Sequence, residues 1–175
     1  MKAVIQRVSS ASVTIDGKIK SQIKKIFVRP SEPVAYPPAV DAIRKADLIV
    51  IGPGSLFTSI LPNLLIPNIT KALYDTDATK LYICNVATQV GETNDYSIED
   101  HVKELQTYTF ETIADYVIAN ANLKDIGSEF MGEIVKSDGS SISHAILKHV
   151  DLIDVNHSVR HDAQKLAKTI TALVD

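Results

Sequence analysis

Leu48-Ile49-Val50-Ile51-Gly52-Pro53-Gly54-Ser55-Leu56-Phe57-Thr58-Ser59 is the stretch that decides the fold class. Four consecutive apolar residues run into a turn built from two glycines and a proline. A short unbroken apolar run predicts a strand buried on both faces, as in a parallel sheet. Open parallel sheets bind ligands at the carboxyl ends of their strands, so residues 52–59 form the first candidate site. Gly52 and Gly54 let the backbone approach a ligand closely or take a positive φ. Ser55, Thr58 and Ser59 add hydroxyl groups, and such a loop can hold phosphate through its N–H and O–H donors. The spacing matches neither a Walker loop nor Gly-x-Gly-x-x-Gly. A tight strand-to-loop turn accounts for the glycines equally well.

Working outward, Ala39, Val40, Ile43 and Ala46 recur at helical spacing after Pro38, a residue suited to a first helical turn. Asp47 reads as the turn between that helix and the strand. On the other side, residues 67–74 predict a helix and Leu81-Tyr82-Ile83-Cys84 a second buried strand. Ser97 with Asp100 forms a Ser-x-x-Asp capping pattern that starts a helix over 98–107. Tyr116-Val117-Ile118-Ala119 predicts a third strand. This alternation indicates an α/β fold with a Rossmann-like wound sheet. Farther along, Glu133-Ile134-Val135 and Leu152-Ile153 read as short strands, residues 143–149 as a helical turn or short helix, and 161–174 as an amphipathic helix. Near the start, Val13 and Ile15 alternate with polar neighbours before Asp16-Gly17, a hairpin turn signal. Ile26-Phe27-Val28 reads as a short strand closed by Pro30.

A second polar loop follows the second strand: Asn85, Thr88, Gln89, Gly91, Glu92 and Thr93, rich in groups that hydrogen-bond in both senses. Parallel strands would put it on the same sheet edge as the first loop and form a crevice between them. Read singly, these residues are turn chemistry. Cys84 reads as a packed small hydrophobe and His101 as a surface or cap residue. Asp162 suits a helix N-terminus, and Arg160 reads as an anion ligand or a surface charge. His144, His149 and His157 lack metal-ligand spacing, and no catalytic set can be assigned.

Composition limits the function classes. The 175 residues carry a net charge of −3, with 22% charged and 45% hydrophobic side chains. That balance argues against nucleic acid and anionic membrane as partners. One cysteine allows no intramolecular disulfide or multi-cysteine metal site, and no apolar run is long enough to span a bilayer. The expectation is a cytoplasmic protein.

The segment from Ala46 through Ser55 to Asn63-Leu64-Leu65 resembles a hallmark of the gluconeogenesis-factor and 2-phospho-L-lactate-transferase family. Asn85-Val86-Ala87-Thr88-Gln89 with Gly91-Glu92-Thr93 and Asp100-His101-Val102 resembles a second hallmark, where the family usually has Met in place of Ala87. Val159-Arg160-His161-Asp162-Ala163 resembles its C-terminal helix. The resemblance covers 23–175, read as the C-terminal half of the family domain, with 1–22 as a separate hairpin segment. It implies a regulatory protein that affects carbon metabolism and cell shape and binds nucleotide sugars of the UDP-N-acetylglucosamine type, or another phosphorylated small molecule. No cofactor and no metal are expected. The expected ligand-binding residues are Gly52, Pro53, Gly54, Ser55, Thr58, Ser59, Asn63, Asn85, Thr88, Gln89, Gly91, Glu92 and Thr93. The alternative within the family is a transferase joining a phospholactyl group to a deazaflavin. The family's glycine-rich opening loop and its Asp-Asp-Gly-Gly segment do not occur in this sequence.

Residues 1–25 are similar instead to the opening of D-aminoacyl-tRNA deacylases, although that family's later motifs do not occur. The join reads as a chimera, a recombined gene, or a designed or generated sequence, and deacylation is a further alternative. A half-sheet with an open edge is also expected either to pair as a homodimer or to be poorly soluble, with an exposed apolar edge.

Overall fold

A computed structural model of the chain describes residues 14–15, 18–19, 23–124, 126–127 and 130–173. Two short strands, β1 (Thr14–Ile15) and β2 (Lys18–Ile19), pair antiparallel. The rest of the hairpin expected over residues 1–20 lies outside the described residues.

The body is a four-stranded parallel sheet in the order β3 (Leu48–Ile51), β4 (Thr79–Ile83), β5 (Tyr116–Asn120), β6 (Ile146–Val150). The fold class is therefore α/β, as the alternating pattern predicts. Parallel neighbours need crossovers. Between β3 and β4 these are a wide helical turn at Leu56–Ile60 and two helices, α2 (Leu61–Leu64) and α3 (Pro67–Asp75). Between β4 and β5 the crossover is α4 (Ile98–Tyr108). Helix α1 (Pro37–Lys45) precedes β3, with prolines in its first turn and Arg44 and Lys45 in its last, where they complement the helix dipole. A hairpin of β7 (Ile153–Asp154) and β8 (His157–His161) leads into α5 (Ala163–Thr171).

Strand period two sorts the sheet residues onto two faces. Ile51, Tyr82, Cys84, Val117 and Ala119 share one apolar cluster with Leu61, Leu64, Leu73, Ile98, Val102 and Leu105 of α2, α3 and α4. Leu81, Ile83 and Ile118 face the other way, against Leu166 and Ile170 of α5. Fully burying one such side chain stabilises the fold by about 1.5–3 kcal/mol, so β4 and β5, covered on both faces, anchor the domain. β3 departs from the reading of a strand buried on both faces. It is an edge strand with β4 as its one strand partner among the described residues, and Val50 is 40% exposed.

Three further expectations are corrected. Residues 26–28 form no strand; Ile26 N–H donates to Tyr108 Oη at 3.0 Å, at the end of α4, and its side chain packs against the core. Residues 146–149, read as part of a helical turn or short helix, belong instead to strand β6, because register with all five residues of β5 overrides their weak alternation. The last helix begins at Ala163, since His161 completes β8 and Asp162 caps the helix by accepting from the Gln164 and Lys165 N–H groups, both at 2.9 Å. Among the described residues no helix is long and apolar enough to cross a membrane.

Candidate functional site

Both polar loops leave the carboxyl ends of adjacent strands, β3 and β4, where Ile51 pairs with Tyr82. Gly52 has φ +94°, and a Cβ there would lie 3.1 Å from the Ile83 carbonyl oxygen. Glycine therefore lets the first loop turn tightly against β4. The peptide Gly52-Pro53 is cis. Beyond it, residues 53–55 form one wall of a cavity of about 480 Å³, within the range of small-molecule sites.

The second loop forms the facing wall through Asn85, Thr88 and Gln89, with Val86 and Ala87 between them. Asn85 Nδ2 donates to Gln89 Oε1 at 3.3 Å, and Gln89 N–H donates to Thr93 Oγ1 at 2.9 Å. Thr88 is committed to holding the third wall. Its N–H donates to the Glu133 carbonyl at 2.7 Å and its Oγ1 accepts from Glu133 N–H at 2.9 Å. Val135 N–H donates to Val86 O at 2.9 Å, and Ala87 bridges to Ile134. The expected strand at 133–135 is thus a single antiparallel bridge onto the second loop. Gly132 makes this closeness feasible: a Cβ there would lie 2.2 Å from Thr88 O. The clamp brings Ile126, Phe130 and Met131 to the cavity as an apolar wall.

The fourth wall comes from β8, with Val159, Arg160 and His161. His161 Nε2 lies 3.1 Å from the Cys84 carbonyl oxygen, so Nε2 carries the proton and donates it. Burial holds His161 below the usual imidazole range, partly offset by that bond. Its ring is therefore neutral near pH 7, and Arg160 is the site's cation, with no ion pair among the described residues. Gly54 N–H, Ser55 N–H and Ser55 Oγ are likewise not engaged by other described residues.

Of the thirteen residues expected from the sequence, Pro53, Gly54, Ser55, Asn85, Thr88 and Gln89 line the cavity, and the other seven do not. Gly52 sits beneath it. Thr58 donates to Glu92 Oε1 at 3.2 Å, and Asn63 Nδ2 donates to Ser59 O at 2.7 Å on the outer side of the helix. Gly91 and Thr93 are buried supports of the second loop. Burial raises the Glu92 carboxyl above its usual range, opposed by bonds from the Thr58 hydroxyl and Phe57 N–H. The apolar wall carried no signal in the sequence, since tertiary pairing alone brings residues 126–132 to the loops. Arg160 and His161 were legible only as a charged pair before a helix.

Two other residues are settled by burial. Cys84 is packed as a small hydrophobe, its thiol pushed up to about 12. His101 is fully buried, against the expectation of a surface or cap residue. It lies on the inward stripe of α4 with Ile98, Val102 and Leu105, its Nδ1 is 2.7 Å from Ser97 O, and its ring packs edge-on to Tyr96. Among the described residues no three His, Cys, Asp or Glu side chains come together as a metal site.

Comparison with known proteins agrees with this architecture. The chain is 38% identical over 178 residues to the gluconeogenesis factor of Bacillus subtilis, covering 96% of this chain and 55% of that protein. It is 33% identical over 167 residues to the gluconeogenesis factor of Listeria innocua, covering 93% of this chain and 51% of the relative. A crystal structure of a UPF0052-family protein from Bacillus halodurans superposes with a TM-score of 0.76 at 34% identity, over 86% of this chain and 51% of that one. The chain thus spans about half the length of these relatives. The family model described as 2-phospho-L-lactate transferase CofD matches residues 3–172. That match runs through the N-terminal segment, so a join between two families finds no support in it. With most of its length matched, the chain belongs to the 2-phospho-L-lactate transferase CofD family.

Proposed function

We propose that the cavity binds a nucleotide sugar of the UDP-N-acetylglucosamine type and that the protein acts as a regulatory, gluconeogenesis-factor-type binding protein affecting carbon metabolism and cell shape. The observation that carries this reading is the pairing of unlike walls. Arg160 and the free donors of Gly54 and Ser55 suit phosphate oxygens, because charge-assisted hydrogen bonds are the strong ones. Ile126, Phe130, Met131 and Val159 offer an apolar surface to a base or sugar ring. No Asp or Glu lies in the described lining, and the lining imidazole, His161, spends its Nε2 proton on the Cys84 carbonyl, which favours binding over acid–base chemistry. The relatives' name, gluconeogenesis factor, supports the regulatory part.

The description of the family model favours a second reading, transfer of a phospholactyl group to a deazaflavin. Two assays separate them. Calorimetric titration with UDP-N-acetylglucosamine should give saturable binding tighter than inorganic phosphate gives. Deazaflavin product formed from a nucleotide-activated phospholactate, without sugar-nucleotide binding, would overturn the first reading in favour of the second. Among the described residues β3 has no strand on its outer edge, where a second copy would add, and light scattering of the purified chain should read a dimer mass.

A further inference from the structure

The helical turn at Leu56–Ile60 begins without a cap of its own. Ser55, at its N-cap position, makes no side-chain capping bond, and no acidic residue lies in the first turn. Such a start leaves N–H groups unsatisfied and carries partial positive charge. A carboxylate 34 residues farther along the chain meets it. Glu92 Oε1 accepts from Thr58 Oγ1 at 3.2 Å, and the carboxylate also accepts from Phe57 N–H. Glu92 is held in turn by the second loop, since its own N–H donates to the Gln89 carbonyl at 2.9 Å. Gln89 lines the cavity from one side, and residues 53–55, immediately before the capped turn, line it from the other.

We propose that Glu92 is a positioning residue for the cavity: its carboxylate stands where an anion would sit at the start of the Leu56–Ile60 turn and so fixes the spacing between the two loops that hold the phosphorylated ligand. The identity of that ligand rests on the reading above; the strut does not. Because the helix start is satisfied internally, the ligand's negative charge is left to Arg160 and the Gly54 and Ser55 donors.

The test compares Glu92→Ala and Glu92→Gln, with sodium acetate as the probe. In the Ala variant the amide resonances of Gly54 and Ser55 should move from their wild-type positions. Acetate, which can fill the vacated carboxylate position, should return them, and sodium chloride at equal ionic strength should not. UDP-N-acetylglucosamine affinity should fall about 10-fold or more, the scale of a lost charged hydrogen bond, and recover with acetate. The Gln variant keeps an acceptor for the Thr58 hydroxyl and should stay close to wild type in both readouts. Unmoved amides in the Ala variant would overturn the proposal, as would displaced amides that ignore acetate. If the Ala variant does not fold, Glu92→Asp replaces it: one methylene shorter, it must move the same two resonances, and unmoved resonances overturn the proposal. Absence of sugar-nucleotide binding by the wild type would sink the ligand reading alone, while the amide shifts still decide the role of Glu92.

Discussion

His161 Nε2 donates a hydrogen bond to the carbonyl oxygen of Cys84 across 3.1 Å, joining residues 77 positions apart. The bond ties the end of β8 to the end of β4 and so places the Arg160 side of the cavity against the second loop. Replacing His161 with Phe leaves a buried carbonyl without its donor, a change that costs about 1–3 kcal/mol. Chemical denaturation should show that loss, and calorimetry should show weaker sugar-nucleotide binding. A variant with wild-type stability and affinity would show that the tie is dispensable.

The two buried imidazoles predict acid lability. Burial lowers the folded pKa values of His101 and His161 below the ordinary 6.5. On unfolding each takes up protons at its ordinary value. Their stabilising contribution is therefore present above pH 6.5 and is lost as the pH falls below it, toward the lowered values. Glu92, with a raised folded pKa, acts oppositely: its contribution is present below its ordinary 4.5 and lost as pH rises through the raised value. Urea midpoints at pH 7.5 and 5.5 should fall for the wild type and fall less for His161→Gln. Equal falls would remove His161 from the account.

Gly132 and Gly139 form a contrast in which backbone contact matters more than loop position. A Cβ on Gly132 would lie 2.2 Å from the Thr88 carbonyl oxygen, whereas one on Gly139 meets nothing within 4 Å, although its φ is +83°. Gly132→Ala should cost about 1–3 kcal/mol by overpacking and should also weaken ligand binding, since it forces the third wall off the second loop. Gly139→Ala should cost about 1 kcal/mol from conformational strain and leave affinity unchanged. Melting temperatures and titrations on the two variants check both halves of the contrast.

The parts of this structure legible in the sequence are those set by local pattern. The apolar runs in β3, β4 and β5 are strands, the Ser97 and Asp100 box starts α4 with both of its bonds in place, and Asp162 caps α5. The misread parts depend on distant partners. Ile146-Leu147-Lys148-His149-Val150 has too mixed a pattern to announce a strand, and β5 supplies its register. The degree of burial of β3 depends on its place at the sheet edge, which no local pattern encodes. In the site, the glycine turn and the second loop were visible because polar and glycine residues stand out after apolar runs. Phe130 and Met131 became wall residues only through the clamp between Thr88 and Glu133. Thr58 and Glu92, read from the sequence as ligand groups, are joined by a hydrogen bond that only the fold could reveal.

The central claim is that Arg160 and the first loop together hold the phosphate of a sugar nucleotide. Calorimetry with UDP-N-acetylglucosamine on wild type and Arg160→Met tests it most directly, with neutral uridine as the control ligand. Loss of a charged hydrogen bond of about 1.5–3 kcal/mol corresponds to about 10- to 100-fold weaker binding. The account predicts that loss for the sugar nucleotide and an unchanged response to uridine. Equal sugar-nucleotide affinity in the two proteins would contradict it.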